Sequence, residues 1–459
     1  MEWTPTIRDR EGPLYSRIVD ALRSDIESGR LHRGEQLPTH RALALALDVD
    51  LTTVTRAYRE ARDEGLTEAR VGQGTFVAES LAQSPRRLAS GVATDLSMNL
   101  PPQPLEADLE GRITRGLAAL RREFGFSSYL NYRDAGGSAD ERDAAASWLR
   151  ARVPQAEAER LVIFPGTQAA LFCFLSAKLV PGDIVFTECL TYPGLMAAAD
   201  VARVKLVGLP IDAEGLVPEA LADACKRQRA KALYLVPTIH SPTTATMSAA
   251  RREAIVEIAR ANDLVVFEDD AYGALAPDVT PIAALAPERT YLAASLAKCV
   301  APGLRVSFLL TPTREEAARF STALRAMVQM PVSLTLALAT RWVRDGSLDE
   351  IITAIRNEAT ARQSLAARAL RGHVYRAHPN GHHIWVPLPK HWSRIEFAGH
   401  IQRQGVGVVT SEAFAVGDAA PEHAIRVALG AAASRAELVR ALEVLAGALV
   451  SSAASQRIV

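Results

Sequence analysis

The chain has 459 residues, of which 48% are hydrophobic and 23% are charged, and its formal net charge is +0. This is the composition of an ordinary globular protein, and the length exceeds what one hydrophobic core usually organises, so we expect two or three domains. The balanced charge excludes a global electrostatic attraction to nucleic acid, and no apolar run approaches the roughly 20 residues that span a bilayer.

The N-terminus and the cysteines both favour a reducing, cytoplasmic location. Met1–Arg10 is charged and polar and lacks the apolar core of a secretory signal. No two cysteines have CxxC spacing, which predicts buried free thiols. The four cysteines are Cys173, Cys189, Cys225 and Cys299.

Residues 12–78 are predicted to form a compact helical unit that ends in a short hairpin. Apolar residues recur every four positions along the first helix, 14–29, and so mark one face of it. These residues are Leu14, Ile18, Leu22 and Ile26. Gly29 suits the end of this helix, Thr39 and Asp50 suit the starts of a second and a third, and Gly72-Gln73-Gly74 suits the bend of the hairpin.

Three separated pieces of this unit agree in order and spacing with a known DNA-binding motif. They are Pro13-Leu14-Tyr15, the run GEQLPTHR from Gly34 to Arg41, and Gly72-Gln73-Gly74-Thr75-Phe76-Val77. Together they closely resemble the winged helix–turn–helix of the GntR regulators. The resemblance implies that helix 51–62 enters the major groove of double-stranded DNA and that the glycine-rich hairpin reaches the minor groove.

The outward face of helix 51–62 carries side chains that suit DNA. Arginine pairs with guanine or phosphate, and threonine suits phosphate or a thymine methyl group. The expected DNA contacts are Thr52, Thr53, Thr55, Arg56 and Arg59 on this helix, with Arg41 and Arg70 at phosphates. Asp50-Leu51 stands where the family often has Ser-Arg, so we expect rearranged base contacts. The alternative is that these arginines only solvate a helix face.

A local basic face is needed for DNA binding, because the first eighty residues contain 11 arginines, no lysine and 14 acidic residues. Residues 79–94, rich in Ser, Gln, Pro, Arg and Gly, are predicted to be a linker. Residues 95–459 are predicted to form the remaining α/β part of the chain.

In that α/β part, short apolar strands alternate with helices such as 217–230 and 248–262, after a mostly helical stretch over 95–160. The predicted strands are Leu161–Phe164, Asp183–Phe186, Ala232–Val236, Leu264–Phe267, Tyr291–Ala294 and Val306–Leu310. This alternation predicts a largely parallel sheet covered on both faces, with ligands bound beyond the carboxyl ends of its strands. The last hundred residues mix helix and strand and predict a smaller C-terminal subdomain.

A lysine lies between a serine and an arginine just after one of these strands. Lys298 is three residues after Ser295 and seven before Arg305. The segment resembles the cofactor-lysine segment of fold-type I aminotransferases, which depend on pyridoxal 5'-phosphate (PLP). The resemblance implies that Lys298 forms a Schiff base with the aldehyde of the cofactor and that Ser295 and Arg305 bind the phosphate of the cofactor. Gly166 and Thr167 join this phosphate site, because a helix N-terminus attracts anions.

Further residues match the cofactor pocket of that superfamily. Asp269 is expected to keep the pyridine nitrogen of PLP protonated, with Asp270 as the adjacent competitor. Tyr272 resembles the tyrosine that bonds the cofactor's phenolic oxygen, and Tyr192 resembles the aromatic residue that stacks on the pyridine ring. Ser241 stands where the superfamily usually has an asparagine that bonds the same phenolic oxygen, a departure expected to be tolerable for holding PLP but to blunt transamination.

Two residues point to the substrate and to a second subunit. Arg426 matches the C-terminal arginine that holds the substrate carboxylate in this superfamily. Tyr132 resembles the tyrosine that reaches the phosphate bound by the neighbouring subunit, which implies a homodimer. A histidine cluster is predicted to belong to a structural hairpin, so no metal is expected. Its members are His378, His382 and His383.

Taken together, residues 12 to about 445 resemble the MocR subfamily of GntR regulators. The resemblance implies a multidomain fold, in which an α+β winged helix–turn–helix precedes an α/β fold-type I PLP-dependent transferase domain with large and small subdomains. We hypothesise a DNA-binding regulator that senses a small amine or amino-acid effector through aldimine exchange at Lys298. The alternatives are an active aminotransferase with an appended DNA-binding domain and a PLP-free DNA-binding scaffold.

Overall fold

The computed structural model of the chain describes residues 3–6, 13–27, 30–32, 34–63, 66–70, 74–77, 93–417 and 421–451. The chain divides into two compact units, residues 1–91 and 92–459. The expected helix end at Gly29, the bend at Gly72-Gln73 and residues 79–92 of the predicted linker lie outside the described residues.

Three helices and a two-stranded antiparallel hairpin make up the first unit. They are α1 Leu14–Glu27, α2 His40–Leu47, α3 Leu51–Asp63, β1 Thr67–Arg70 and β2 Gly74–Val77. The hydroxyl of Thr39 accepts the Ala42 N–H at 3.2 Å and caps α2, and Asp50 Oδ1 accepts the Thr52 N–H at 2.7 Å where α3 begins. The three helices enclose one small core, whose fully buried side chains include Leu22, Leu43 and Val54.

The second unit alternates helices with strands. Its helices are α4 Leu109–Phe124, α5 Ser127–Leu130, α6 Ala139–Leu149, α7 Thr167–Lys178, α8 Pro193–Ala202, α9 Pro218–Arg227, α10 Ala249–Ala261, α11 Ile282–Leu285, α12 Arg314–Val328, α13 Ser333–Arg344, α14 Ser347–Ala369, α15 Arg394–Arg403 and α16 Arg435–Val450. Its strands are β3 Thr94–Asp95, β4 Leu161–Phe164, β5 Ile184–Glu188, β6 Lys205–Leu209, β7 Ile211–Asp212, β8 Gly215–Leu216, β9 Ala232–Leu235, β10 Val265–Asp270, β11 Thr290–Ser295, β12 Ser307–Leu310, β13 Arg376–Ala377, β14 His383–Pro387, β15 Val406–Gly407, β16 Val409–Thr410 and β17 Ala424–Ala428.

The main sheet has seven strands in the order β4-β12-β11-β10-β9-β5-β6. Neighbouring strands pair in parallel except at β12, which runs antiparallel to both β11 and β4. Apolar clusters from the flanking helices lie against both faces of the sheet. The prediction of a largely parallel, doubly covered sheet is confirmed, and the carboxyl ends of its central strands meet along one edge.

Strand β6 is absent from the sequence prediction. It is an edge strand, and among its residues only Leu209 is buried. Because its side chains do not form a continuous apolar run, the pattern that identifies a central parallel strand is missing.

A smaller antiparallel sheet, β13-β14-β17-β16, packs against α14, α15 and α16 and forms the expected C-terminal subdomain. The hairpin of β13 and β14 contains the turn predicted around His378. Strand β3 joins this region by pairing Thr94 with Val406, so the last residue of the predicted linker already belongs to the folded unit. None of the helices in the described ranges has the length and apolarity to span a membrane.

Candidate functional site

The carboxyl ends of β10 and β11 bring Asp269 and Lys298 to the same edge of the sheet. The Nζ atom of Lys298 donates a hydrogen bond to the main-chain carbonyl of Asn99 at 2.5 Å. Burial, assisted by the positive charge of Arg426, lowers the pKa of Lys298 to about 8, and Asp269 opposes this shift. A lysine with this pKa has more unprotonated amine near neutral pH, the form that attacks an aldehyde.

Asp269 is a buried carboxylate with half of its hydrogen-bonding capacity unused. Its Oδ2 accepts the Tyr234 hydroxyl at 2.8 Å, whereas its Oδ1 is buried and has no hydrogen-bond partner among the described residues. Burial raises the pKa of Asp269 to about 6, although the bond from Tyr234 acts in the opposite direction. A cationic donor beside Oδ1 would complete this group.

The adjacent carboxylate, Asp270, faces elsewhere because successive side chains of a strand point to opposite sides of the sheet. It forms an ion pair with Arg152, and both side chains are largely buried. Both oxygens of Asp270 bond Arg152, whereas Asp269 Oδ1 has no hydrogen-bond partner in the part of the chain that the structure describes.

A candidate anion site lies where β4 turns into α7. Gly166 has a φ of +96°, and a Cβ at this position would collide with the guanidinium of Arg305. The same guanidinium donates to the Pro165 carbonyl at 2.9 Å, and the Thr167 hydroxyl lies 3.3 Å from that of Ser307. Helix α7 begins at Thr167, so its unpaired backbone N–H groups face the same space.

Ser307 links this anion site to β11, because it pairs across the sheet with Ser295. The sequence predicts Ser295 in this site but not Ser307, because a serine inside an apolar strand carries no local signal. The structure brings together the four predicted phosphate ligands: Gly166, Thr167, Ser295 and Arg305.

Tyr192 and Tyr272 both lie within electrostatic reach of Asp269. Tyr192 is 37% exposed and immediately precedes α8; burial and the charge of Asp269 raise its pKa, and Arg305 opposes the shift. Tyr272 is buried, and its hydroxyl accepts the Asn99 Nδ2–H at 2.6 Å.

Arg426 is a buried cation without a carboxylate partner in the described part of the chain. Its Nη2 donates to the Ser97 carbonyl at 2.6 Å, its Nη1 lies 3.5 Å from the Ser241 hydroxyl, and its guanidinium lies 4.8 Å from the centre of the Phe414 ring. Burying an unpaired charge is costly, so this arrangement is suited to an anionic ligand.

Segment 97–99 is the part of the site that sequence reasoning missed. Its carbonyls and the Asn99 amide contact Arg426, Lys298 and Tyr272, which lie 173 to 329 residues further along the chain. No motif in Ser97-Met98-Asn99 predicts these contacts, because they form only when the chain folds.

Two of the three hairpin histidines also reach the site. His382 Nε2 donates to the Lys298 carbonyl at 2.7 Å, and His383 Nε2 donates to the His240 carbonyl at 3.2 Å. Burial lowers the pKa of His382 to about 4 and holds the pKa of His383 well below its usual value. Both rings are therefore neutral and support neighbouring groups through hydrogen bonds.

Tyr132 lies on the surface of the second unit, with 83% of its side chain exposed. Exposed apolar side chains on and around α5 accompany it. They include Phe124 (65% exposed) and Leu130 (75% exposed).

The expected DNA-contacting face of α3 is exposed at Arg56 and Arg59. The Arg56 guanidinium stacks 3.8 Å from the centre of the Tyr15 ring, which holds it in place on the surface. Arg41, at the start of α2, is also exposed. Arg70 lies in β1, and its side chain is outside the described part of the structure.

The threonines of α3 are less available for contacts with DNA than the sequence predicts. Thr52 donates its hydroxyl proton to Asp50 Oδ1 at 2.5 Å, and the Thr55 hydroxyl lies 3.3 Å from His40 Nδ1. Thr53 is half-buried. Both exposed threonines therefore have intramolecular partners that DNA would have to share or replace.

Two family models match the chain. Residues 92–445 match the model "Aminotransferase class I and II", and residues 14–77 match "Bacterial regulatory proteins, gntR family". The second match identifies the first unit as a helix–turn–helix domain of a DNA-binding family. The first match covers the second unit and its candidate pocket.

Relatives with both parts are similar along most of their length. An uncharacterized HTH-type transcriptional regulator, YdeF of Bacillus subtilis, is 31% identical over 97% of this chain and 96% of its own. The vitamin B6 salvage pathway transcriptional repressor PtsJ of Salmonella typhimurium is 30% identical over 91% of this chain and 95% of its own. The probable rhizopine catabolism regulatory protein MocR of Rhizobium meliloti is 25% identical over 80% of this chain and 79% of its own.

Solved aminotransferases share the fold of the second unit. A kynurenine aminotransferase of Pyrococcus horikoshii, crystallised with PMP, superposes with a TM-score of 0.72 at 25% identity, over 79% of this chain and 91% of its own. The chain therefore belongs to the MocR subfamily of GntR-type transcriptional regulators, in which a winged helix–turn–helix domain is fused to a domain of the class I and II aminotransferase family.

Proposed function

We propose that this protein is a PLP-dependent transcriptional regulator that binds DNA through α3 and senses an amino compound in the pocket at Lys298. The observation that carries the proposal is the buried Oδ1 of Asp269, which has no hydrogen-bond partner in the described ranges and lies within electrostatic reach of Lys298, whose pKa is lowered. When bound, PLP supplies an aldehyde that condenses with an amine, either that of Lys298 or that of an effector.

The residues of the pocket fit this cofactor group by group. Asp269 Oδ1 is suited to a protonated pyridine nitrogen, because such a partner satisfies both its charge and its missing hydrogen bond. The turn at Gly166 and Thr167, with Ser295 and Arg305, offers backbone and side-chain donors to a phosphate. Tyr192 provides an aromatic face, and Tyr272 and Ser241 provide hydroxyls for the phenolic oxygen.

Arg426 indicates an effector that carries a carboxylate as well as an amine. A carboxylate accepts two hydrogen bonds from one guanidinium, so it competes with the Ser97 carbonyl that occupies Arg426 now. Release of Ser97 would disturb segment 93–100, which is tied down by bonds such as Leu96 N–H to the Gly407 carbonyl at 2.9 Å. In sequence this segment directly follows the connection to the DNA-binding domain, and so an effector that favours the released arrangement shifts the equilibrium towards it.

A homodimer completes the proposal. The exposed cluster of Phe124, Leu130 and Tyr132 is a surface that a second copy would cover, with Tyr132 reaching the phosphate in its partner. Two copies of α3 would then bind paired half-sites in a repeated or palindromic operator.

Replacing Arg426 tests the effector proposal. Arg426→Ala is expected to weaken the response of the PLP-loaded protein to amino acids about 100-fold, because charge-assisted bonds to the carboxylate are lost. The measurement is a titration of the visible spectrum with the standard amino acids and, as matched controls, with the corresponding amines that lack the carboxylate. The amine responses are expected to persist, and equal losses for both ligand classes would contradict a carboxylate site at Arg426.

The two neighbouring carboxylates make a matched pair of variants. Asp269→Asn is expected to weaken PLP binding at least about 30-fold, because the buried partner of the ring nitrogen loses its charge. The cofactor-free protein should be no less stable near neutral pH, since the raised pKa of Asp269 means that its ionisation costs stability from about pH 4 upwards and in full above about pH 6. Asp270→Asn leaves Arg152 buried without its counter-charge and is expected to cost about 3 kcal/mol in the free energy of unfolding.

Equilibrium dialysis against PLP and urea unfolding of the same two variants measure both quantities. A loss of PLP affinity in Asp270→Asn with none in Asp269→Asn would reverse the assignment.

A working aminotransferase is the second candidate function. Lys298, Asp269, Tyr272 and Arg426 are all retained around one pocket, and the second unit shares its fold with aminotransferases. Steady release of a keto acid from an amino acid, with a second keto acid as acceptor, would favour this alternative. An amino acid that changes the spectrum but yields no keto acid favours the sensor.

A further inference from the structure

Asn99 is a buried amide inside the candidate pocket, and no sequence motif marks it. Its Nδ2 atom lies 2.6 Å from the Tyr272 hydroxyl and 3.1 Å from His383 Nδ1. Its Oδ1 is buried and has no hydrogen-bond partner within the ranges that the structure describes. An amide in such a place has a defined orientation only if its neighbours impose one.

His383 imposes that orientation. The ring is neutral because burial holds its pKa far below the usual value, with Arg426 acting in the same direction. Its Nε2 faces the His240 carbonyl at 3.2 Å and must carry the proton, so its Nδ1 can only accept. Asn99 must therefore turn its Nδ2–H₂ group towards His383, and the second N–H of that group reaches Tyr272.

The orientation of Asn99 decides what the Tyr272 hydroxyl can do. Because the oxygen of this hydroxyl already accepts a bond from Asn99, its own proton is directed elsewhere, and no other hydrogen bond of this hydroxyl is seen among the described residues. A hydroxyl that accepts one hydrogen bond also becomes a stronger donor in the next. The chain from the His240 carbonyl through His383 and Asn99 thus presents Tyr272 as a donor to the pocket.

We propose that Asn99 is a positioning residue, which makes Tyr272 the hydrogen-bond donor to the cofactor's phenolic oxygen and so offsets the missing asparagine at Ser241. This inference rests on the proposed function, since it presupposes that PLP occupies the pocket. Ser241 has a shorter side chain than an asparagine, and its hydroxyl lies 3.5 Å from Arg426 Nη1. Asn99 supplies an amide to the same region from a different part of the chain.

The effect of this arrangement is electrostatic. Hydrogen bonds donated to the phenolic oxygen withdraw its negative charge and weaken its hold on the proton carried by the nitrogen of Lys298. Fewer such bonds would move the pH titration of the bound cofactor to higher pH. The other charged or titratable groups near Lys298 and Tyr272 are Asp269, Arg426, Tyr192, His382 and His383, and none of them is altered in the variants below.

The test is a pH titration of the visible absorption of the full-length, PLP-loaded protein. Asn99→Ala is expected to raise the midpoint by about half a pH unit, about threefold in the proton-binding constant. Asn99→Ser makes a smaller cavity and gives the same comparison where the alanine variant folds poorly. Gln103→Ala is the matched control, because Gln103 is an amide near the same segment that bonds the Val300 carbonyl instead; its midpoint should equal that of the wild type.

Two further variants separate positioning from a general loss of structure. In a Tyr272→Phe background, Asn99→Ala should produce no additional shift, because the hydroxyl through which it acts is gone. Ser241→Asn should lower the midpoint of the Asn99→Ala protein again by restoring an amide. Equal shifts with and without the Tyr272 hydroxyl would overturn the inference.

The same titration distinguishes this inference from the proposed function. A wild-type protein that acquires no chromophore from PLP would overturn both. A wild-type chromophore whose midpoint is unchanged in Asn99→Ala and Asn99→Ser would overturn only the role of Asn99.

Discussion

Lys298→Ala should give a protein in which borohydride no longer fixes PLP to the chain. In the wild type, the visible chromophore should be reduced onto one peptide, the one that contains Lys298, because this amine has the lowered pKa and faces the pocket. The variant should also respond to amines more slowly, since an amine must then condense with the free aldehyde of PLP instead of displacing the Lys298 amine. Absorption spectra and peptide masses after reduction measure both effects.

The loss in Lys298→Ala should be specific. The exposed Lys390 gives a control of the same chemistry, and Lys390→Ala is expected to behave as the wild type. DNA binding without effector should survive in both variants, because α3 lies in a separately packed unit. Reduction that labels another lysine, or a wild-type protein that stays colourless with added PLP, would remove the basis for both the sensor and the enzyme.

The second large effect is expected on the surface of α3. Each of Arg56→Ala and Arg59→Ala should weaken operator binding by about 1–3 kcal/mol, and the double variant about 100-fold or more at physiological salt. Both side chains are exposed, and Arg56 is held against Tyr15, so little of its freedom remains to be lost on binding. The measurement is the dissociation constant for a duplex selected from a random library.

Salt dependence tells the two kinds of contact apart. Removing an arginine that contacts a phosphate should reduce the slope of log K against log salt concentration by about one. Removing an arginine that contacts a base should instead relax the sequence preference. Arg227→Ala removes the same charge from the surface of the second unit and serves as the control. Unchanged affinity in the double variant would move the DNA-binding face away from this part of α3.

Local sequence signals predicted those parts of the molecule that neighbouring residues determine. Thr39 and Asp50 begin their helices as expected, because capping depends on a few adjacent residues. The buried strands β4, β9 and β11 were visible as apolar runs. The antiparallel direction of β12 could not be predicted, because an apolar run has the same pattern whether its strand is parallel or antiparallel to its neighbours.

Contacts between distant parts of the chain escaped prediction. The Asn99 carbonyl meets Lys298 across 199 residues, and Ser97 meets Arg426 across 329 residues. Lys298 and Arg426 match motifs of the aminotransferase superfamily, and these motifs predict their place in the pocket. Segment 97–99 matches no motif, so its place in the pocket could not be predicted. The intramolecular bonds of Thr52 and Thr55 were equally invisible, because a helix-face pattern does not say which hydroxyls already have partners.

The decisive measurement is the affinity for the selected duplex of the full-length, PLP-loaded protein, with and without an amino acid that changes its visible spectrum. Binding of that amino acid in the pocket at Lys298 should change the dissociation constant for DNA by about fivefold or more at constant salt, and the protein without PLP should show no change. If amino acids that alter the spectrum all leave the affinity for DNA as it was, the pocket does not control the DNA-binding domain, and the proposed sensor is wrong.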